Sequence, residues 1–176
     1  MNIGILGTGR VGQTIGSRLI ELNNHVRMGS RTADNPGARA WTRIAGKLAS
    51  QGTFEDAAQF GELLFNCTSG MGSLSALQFA KSVDLNNKVL IDVANPLDFS
   101  RGMPPSLTVC NTDSLAEQIQ RAHPLLNVVK ALNSMNCEVM VHPELVPGKH
   151  DVFICGNNAN EKTAATLMLM ESFGRE

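Results

Sequence analysis

The chain contains no tyrosine and only one tryptophan, Trp41, among its 176 residues. A platform that stacks single-stranded bases needs several exposed rings, so this scarcity argues against nucleic acid as a partner. An excess of charge of one sign is also missing. Fifteen basic residues against sixteen acidic ones leave no field to gather polyanions or a membrane surface. No apolar run approaches the ~20 residues that span a bilayer. The first strand-like segment starts at residue 2, leaving no room for a secretory leader, so the expected location is the cytoplasm. The four cysteines, Cys67, Cys110, Cys137 and Cys155, form no C-x-x-C pair and are expected to stay reduced there. His25, His123, His142 and His150 show no metal-ligand spacing, so no metal site is expected. The length suits one domain with a sizeable core.

What is present starts with Gly7-Thr8-Gly9-Arg10-Val11-Gly12, directly after the apolar run Asn2-Ile3-Gly4-Ile5-Leu6. Val11, Ile15, Leu19 and Leu22 then recur at helical spacing. In this strand–loop–helix context each glycine has a purpose. Gly7 permits a sharp turn out of the strand, Gly9 lets a pyrophosphate approach the backbone, and Gly12 lets the helix pack on the strand. The helix start, with its free N–H groups and positive dipole end, is an anion site. The motif therefore predicts a dinucleotide.

A second strand over 25–28 completes the strand–turn–helix–strand unit, and its end discriminates between dinucleotides. An NAD site places a carboxylate about 20 residues past the loop, on the ribose 2′-OH. Here the chain reads Met28-Gly29-Ser30-Arg31-Thr32, with no carboxylate until Asp34. An arginine suits a 2′-phosphate, with which it forms charge-assisted bonds, and Ser30 supplies a hydroxyl beside it. The expectation is NADP(H).

Strand and helix patterns alternate along the rest of the chain. Asn35 is a suitable cap for a helix from Pro36 to about residue 50, and Thr53-Phe54-Glu55-Asp56 resembles a capping box opening a brief helix that ends at Phe60. Further strands are expected over 63–67, 88–93, 127–132 and 151–156, with helices over 73–83, from Asp113 or Ser114 to Ala122, and over 161–173. Residues 97–111 and 133–149 read as irregular loops. The predicted fold class is α/β: a single Rossmann-type domain over 1–176, with a doubly wound, mostly parallel sheet and helices on both faces. The chain stops just after its last helix, at Ser172-Phe173-Gly174-Arg175-Glu176, which points to a missing C-terminal extension.

Ligands of a doubly wound sheet bind outside the carboxyl ends of the strands. This rule adds Cys67-Thr68-Ser69, Asn95-Pro96 and Ala131-Leu132-Asn133 to the glycine loop as candidates. Thr68 and Ser69 can offer hydroxyls to a ribose, and Asn95 or Asn133 can hydrogen-bond a carboxamide. Groups for proton transfer are scarce. The tyrosine of the short-chain dehydrogenase solution is absent, Lys130 is expected to be solvated, and His142 and His150 fall in a loop. No base is apparent that would activate Cys67 as a nucleophile. Hydride transfer to an acceptor that is already electrophilic needs chiefly proximity and orientation. The pattern therefore favours a redox-active coenzyme as acceptor. Two other readings stay open: a non-catalytic NADP(H) sensor or docking module, and a reductase of a small imine or carbonyl compound.

The opening segment with Met28-Gly29-Ser30-Arg31, together with Asp92-Val93-Ala94-Asn95-Pro96 and Val128-Val129-Lys130-Ala131-Leu132-Asn133-Ser134-Met135, resembles the coenzyme F-420-dependent NADP oxidoreductases. Val152-Phe153-Ile154-Cys155-Gly156 adds to the likeness. The nucleotide-binding domain of membrane metalloreductases is similar too. The resemblance implies that residues 8–11 hold the pyrophosphate, that Ser30 and Arg31 hold the 2′-phosphate, and that Thr68, Asn95 and Ala131 line the nicotinamide half. It further implies hydride transfer between NADPH and coenzyme F-420, a deazaflavin, or a flavin, in a homodimer. Asn133 stands where archaeal members tend to have histidine, and members that bind the deazaflavin continue beyond the last helix here.

Overall fold

A computed structural model describes residues 1–174 of the chain. Among them, six strands form one sheet in the order β3-β2-β1-β4-β5-β8, and every neighbouring pair is parallel. The strands are β1 (Asn2–Leu6), β2 (His25–Ser30), β3 (Ala49–Thr53), β4 (Leu63–Asn66), β5 (Val89–Asp92) and β8 (Asn127–Lys130). The order reverses between β1 and β4, so a crevice opens there at the strands' carboxyl ends. A two-residue hairpin, β6 (Leu97–Asp98) with β7 (Ser106–Leu107), lies between β5 and β8.

The helices divide between the two faces. On one face, α1 (Arg10–Glu21), α2 (Pro36–Ala45), α6 (Cys137–Val141) and α7 (Ala159–Phe173) cover a core that includes Ile3, Ile5, Phe65, Ile91 and Val129. On the other face, α3 (Phe54–Phe60), α4 (Ser73–Phe79) and α5 (Leu115–Ala122) cover Leu6, Leu64, Leu90 and Val128. Alternate residues of each central strand thus serve opposite cores, and β1, β4 and β5 are apolar almost throughout, as strands covered on both sides must be. Both predicted caps form. Asn35 accepts from the Ala38 amide at 3.1 Å, and Thr53 and Asp56 make the reciprocal bonds of a capping box.

Five segments depart from expectation, among them the helix expected over 73–83, which ends at Phe79. The helix predicted to reach residue 50 ends at Ala45, where Gly46 adopts φ +89°; residues 49–53 then pair with β2 as the edge strand β3. Residues 151–156, expected as a strand, make a single antiparallel bridge between Cys155 and Lys130, with Phe153 left 82% exposed. The presumed loop 133–149 contains α6, capped by Asn136, and 97–111 contains the small hairpin. The prediction concerning the chain end at Arg175-Glu176 lies outside the described residues.

Candidate functional site

The glycine loop joins β1 to α1 at the switch point. Gly7 has φ +121°, and a Cβ there would stand 2.5 Å from the Cys67 carbonyl oxygen, so this position has both a backbone and a steric need for glycine. Gly12 lies against the loop itself, 2.5 Å separating its would-be Cβ from the Gly7 oxygen. Above Gly9 there is open space: nothing lies within 4 Å of an added Cβ. Gly9 also caps α1 with no side-chain acceptor, and no acidic residue occupies the first turn. The first amides of α1 therefore face an open region with their dipole uncompensated, an arrangement suited to an anion. Thr8 is half-buried, and its carbonyl accepts from Gln13 Nε2 at 2.9 Å. Arg10 is exposed and pairs with Glu138 of α6 at 3.2 Å, and Val11 is half-buried.

A cleft of about 770 Å³ runs from this loop between the β2 and β4 ends. Gly7, Thr8, Gly9, Ser30, Arg31, Cys67, Thr68 and Ser69 of the predicted set all line it. Arg31 is the only charged side chain among its described lining residues; it is exposed and makes no ion pair with any of them. Ser30 behaves differently. It is 6% exposed, its hydroxyl donates to the Thr32 carbonyl at 2.5 Å, and it accepts from the Thr32 amide. It shapes the turn that presents Arg31. The adjacent Thr32, exposed and lining the cleft, was not singled out from the sequence, nor were the stacked rings of Phe54 and Phe79, 6.2 Å apart, which line it too. Their spacing in sequence gave no sign that they would line the same cleft as Arg31.

At the other end, Thr68 Oγ1 lies 2.8 Å from Asn66 Oδ1 and 2.9 Å from Ser73 Oγ. Asn66 Nδ2 reaches Asp92 Oδ1 at 2.7 Å, and Lys130 Nζ reaches Asp92 Oδ2 at 2.9 Å. Lys130 also donates to the Ala94 carbonyl. The expectation of a solvated Lys130 is corrected: its side chain is 17% exposed, because a fully buried carboxylate on the next strand requires a counter-charge. Cys67 is buried, and desolvation together with the Asp92 charge pushes its thiol well above the ordinary range, which disfavours the thiolate a nucleophile would need.

Asn95 and Asn133 are joined to each other. Asn95 Nδ2 donates to the Asn133 carbonyl at 2.6 Å, and Asn133 Nδ2 donates to Asn95 Oδ1 at 3.2 Å. Pro96 packs in the same turn, whose Asn95 carbonyl accepts from the Gly70 amide at 3.2 Å. Ala131 is fully buried, and Leu132 after it holds φ +62°, a conformation leucine rarely adopts and one that bends the chain from β8 toward Asn133. Asn95, Pro96, Asn133 and Lys130 line a second, mostly apolar cavity of about 470 Å³ rather than the glycine-loop cleft. His142 and His150 stay away from both, His142 contacting Glu144 at 3.0 Å.

Residues 2–96 match the model of the family described as NADP oxidoreductase, coenzyme F420-dependent, which is more than half of the chain. The chain belongs to this family. It is 42% identical to a candidate F420-dependent NADP reductase from Arthrobacter sp. FB24, whose crystal structure superposes with a TM-score of 0.91 over 100% of this chain and 82% of that one. It is 30% identical over 170 residues to the metalloreductase STEAP3 of Rattus norvegicus, which aligns with 94% of this chain; the chain spans 31% of that relative's length. An imine reductase from Streptomyces aurantiacus shares the fold, with a TM-score of 0.70 at 17% identity over 98% of this chain and 53% of that one. The chain thus carries a domain of the NAD(P)-dependent oxidoreductase type. Among the described residues no helix is long and apolar enough to cross a membrane.

Proposed function

We propose that this family member binds NADP(H) and transfers hydride between NADPH and a deazaflavin or flavin-type acceptor. The observation that carries the coenzyme choice is Arg31, the sole charge among the described residues of a cleft that begins at an uncapped helix terminus. The amides at the start of α1 hold the pyrophosphate over Gly9, and Arg31 holds the 2′-phosphate, with Thr32 as a further hydroxyl. A carboxylate at the end of β2 would select the unphosphorylated coenzyme, and none stands there. Thr68, which lines the cleft, serves the nicotinamide end, with the Asn95–Asn133 pair bounding the neighbouring cavity beyond it.

The bound nicotinamide supplies the hydride chemistry; the protein supplies binding and orientation. Among the described residues, no side chain in or beside the cleft is arranged as a proton donor. Cys67 is held as the thiol, and Lys130 is committed to Asp92 and the Ala94 carbonyl. An acceptor that needs little help from acid catalysis matches this site better than a ketone. The likeness to the Arthrobacter protein, described as a candidate F420-dependent NADP reductase, supports the same class. The test has two parts. Calorimetry is expected to show NADPH binding at least tenfold more tightly than NADH, and equal affinities would remove the 2′-phosphate reading. Stopped-flow mixing of NADPH with coenzyme F420, FMN and FAD is expected to consume NADPH with at least one of them. Turnover of imines without any flavin-type acceptor would overturn the acceptor class.

A further inference from the structure

Asn66, Asp92 and Lys130 end three adjacent strands and stand in register, Asn66 beside Asp92 and Asp92 beside Lys130. Asn66 and Asp92 are fully buried. Positions like these in a doubly covered sheet are ordinarily apolar, and a buried polar row is costly unless every member is satisfied. This row is satisfied, and its proton bookkeeping has a direction.

Asp92, paired with Lys130, can only accept: its Oδ1 takes bonds from Asn66 Nδ2 at 2.7 Å and the Ala94 amide at 3.2 Å. That assigns the Asn66 amide, with Nδ2 toward Asp92 and Oδ1 toward Thr68. Asn66 Oδ1 then accepts from the Thr68 amide at 3.3 Å and the Thr68 hydroxyl at 2.8 Å. A threonine hydroxyl has one proton, and here it is spent inside the network. Ser73 Oγ accepts from Asn66 Nδ2 at 2.9 Å, so its own proton goes to Thr68 Oγ1 or to the Ser69 carbonyl. In either case Thr68 can show the cleft only a lone pair.

We infer that the Asn66–Asp92–Lys130 row is a positioning device that holds Thr68 as a hydrogen-bond acceptor, so the ligand group seated on it must be an N–H or O–H donor. Resting on the coenzyme reading above, that donor is the carboxamide N–H of the nicotinamide. The row thereby orients the reactive ring from a buried charge that never touches it.

The test is calorimetric, on the full chain, with three probes. These are NADP⁺, its 3-acetylpyridine analogue, which keeps the carbonyl and lacks the amide N–H, and 2′,5′-ADP, which carries only the adenosine half. The wild type is expected to prefer NADP⁺ over the analogue about fivefold, the worth of one ordinary hydrogen bond. Thr68→Val is expected to erase that preference while 2′,5′-ADP binds as before, and Thr68→Ser to restore it. Asp92→Asn, which frees the Asn66 amide to turn, is expected to lower the preference as well. The double variant Asp92→Leu with Lys130→Leu removes both charges together and carries the same expectation should the single variant not fold. Intact 2′,5′-ADP binding with no amide preference in the wild type overturns this inference alone. So does a full preference surviving in Thr68→Val or in the row variants. Failure of the wild type to bind 2′,5′-ADP overturns the coenzyme reading, and the inference with it.

Discussion

At the β2 end of the cleft, Arg31 stands exposed beside a turn built by Ser30, with no carboxylate among the described residues paired to it. Beyond the cleft, at the end of β8, Lys130 is enclosed and committed to Asp92 and a backbone carbonyl. Both are single cations near a strand terminus, yet they are held in opposite ways. An exposed, unpaired guanidinium costs the fold almost nothing and is available to a phosphate. A buried ammonium–carboxylate pair is coupled to folding, and it acts on a ligand only through the groups it orients. Recognition by charge and recognition by preset polarity therefore divide the site between its two ends.

The most severe way to break this contrast is to remove each cation in turn. Lys130→Met leaves Asp92 buried without a counter-charge, and the expected loss is about 3–5 kcal/mol of unfolding free energy in urea titrations. A loss below about 1 kcal/mol would show that Lys130 is not integral to the fold. Arg31→Ala is expected to change stability by less than about 0.5 kcal/mol. It should instead weaken NADPH binding by roughly 1.5–3 kcal/mol, the worth of a hydrogen bond to a charged group. Unchanged NADPH affinity in that variant would mean that the cleft does not read a 2′-phosphate.

A second pair sharpens the distinction between fold and site inside the glycine loop. Gly7→Ala forces a side chain into φ +121° and against the Cys67 carbonyl, at an expected cost of about 1–3 kcal/mol or more in stability. Gly9→Ala meets no neighbouring atom, so its unfolding midpoint should hardly move while coenzyme affinity falls about tenfold. Similar stability losses in the two variants would contradict the open space above Gly9.

The smallest effect lies outside the cleft. Hydrogen bonds from Arg121 and then Gln118 hold the Asp113 carboxyl down to about 2, below its ordinary 3.8. A depressed carboxylate stabilises the fold above its ordinary value, and that contribution is lost as pH falls toward the folded one. The difference in melting temperature between wild type and Arg121→Gln should thus be constant from about pH 5 to 7 and shrink between about pH 4 and 2. A difference that grows on acidification would reverse the assignment.

Much of the architecture was legible because its signals are local. The apolar run of β1, the glycine spacing and the Thr53–Asp56 capping box each act within a few residues of themselves, and all appear in the structure. The segment Ala-Ser-Gln-Gly-Thr of β3 carries no strand signal. It becomes one because the outer edge of β2 needs a partner, and Ser50 there bonds Arg27 Nε and the Val26 carbonyl. The reverse holds for Val152-Phe153-Ile154-Cys155, whose composition favours a strand. Beside β8 it finds pairing at one residue only. Lys130 could not be read from its neighbours, since Asp92 lies 38 residues earlier in the chain.

By itself the amino-acid order determined the strand–loop–helix opening, the alternation that makes a parallel sheet, and a cation where NAD enzymes carry a carboxylate. All of these depend on backbone conformation and side-chain type over short distances. Only the tertiary structure decided which polar groups are free. Packing spent the hydroxyl of Ser30 on its own turn, joined Asn95 to Asn133, and buried Lys130 against Asp92. A hydrogen-bonding group can serve a ligand only with the donors and acceptors that folding leaves unspent.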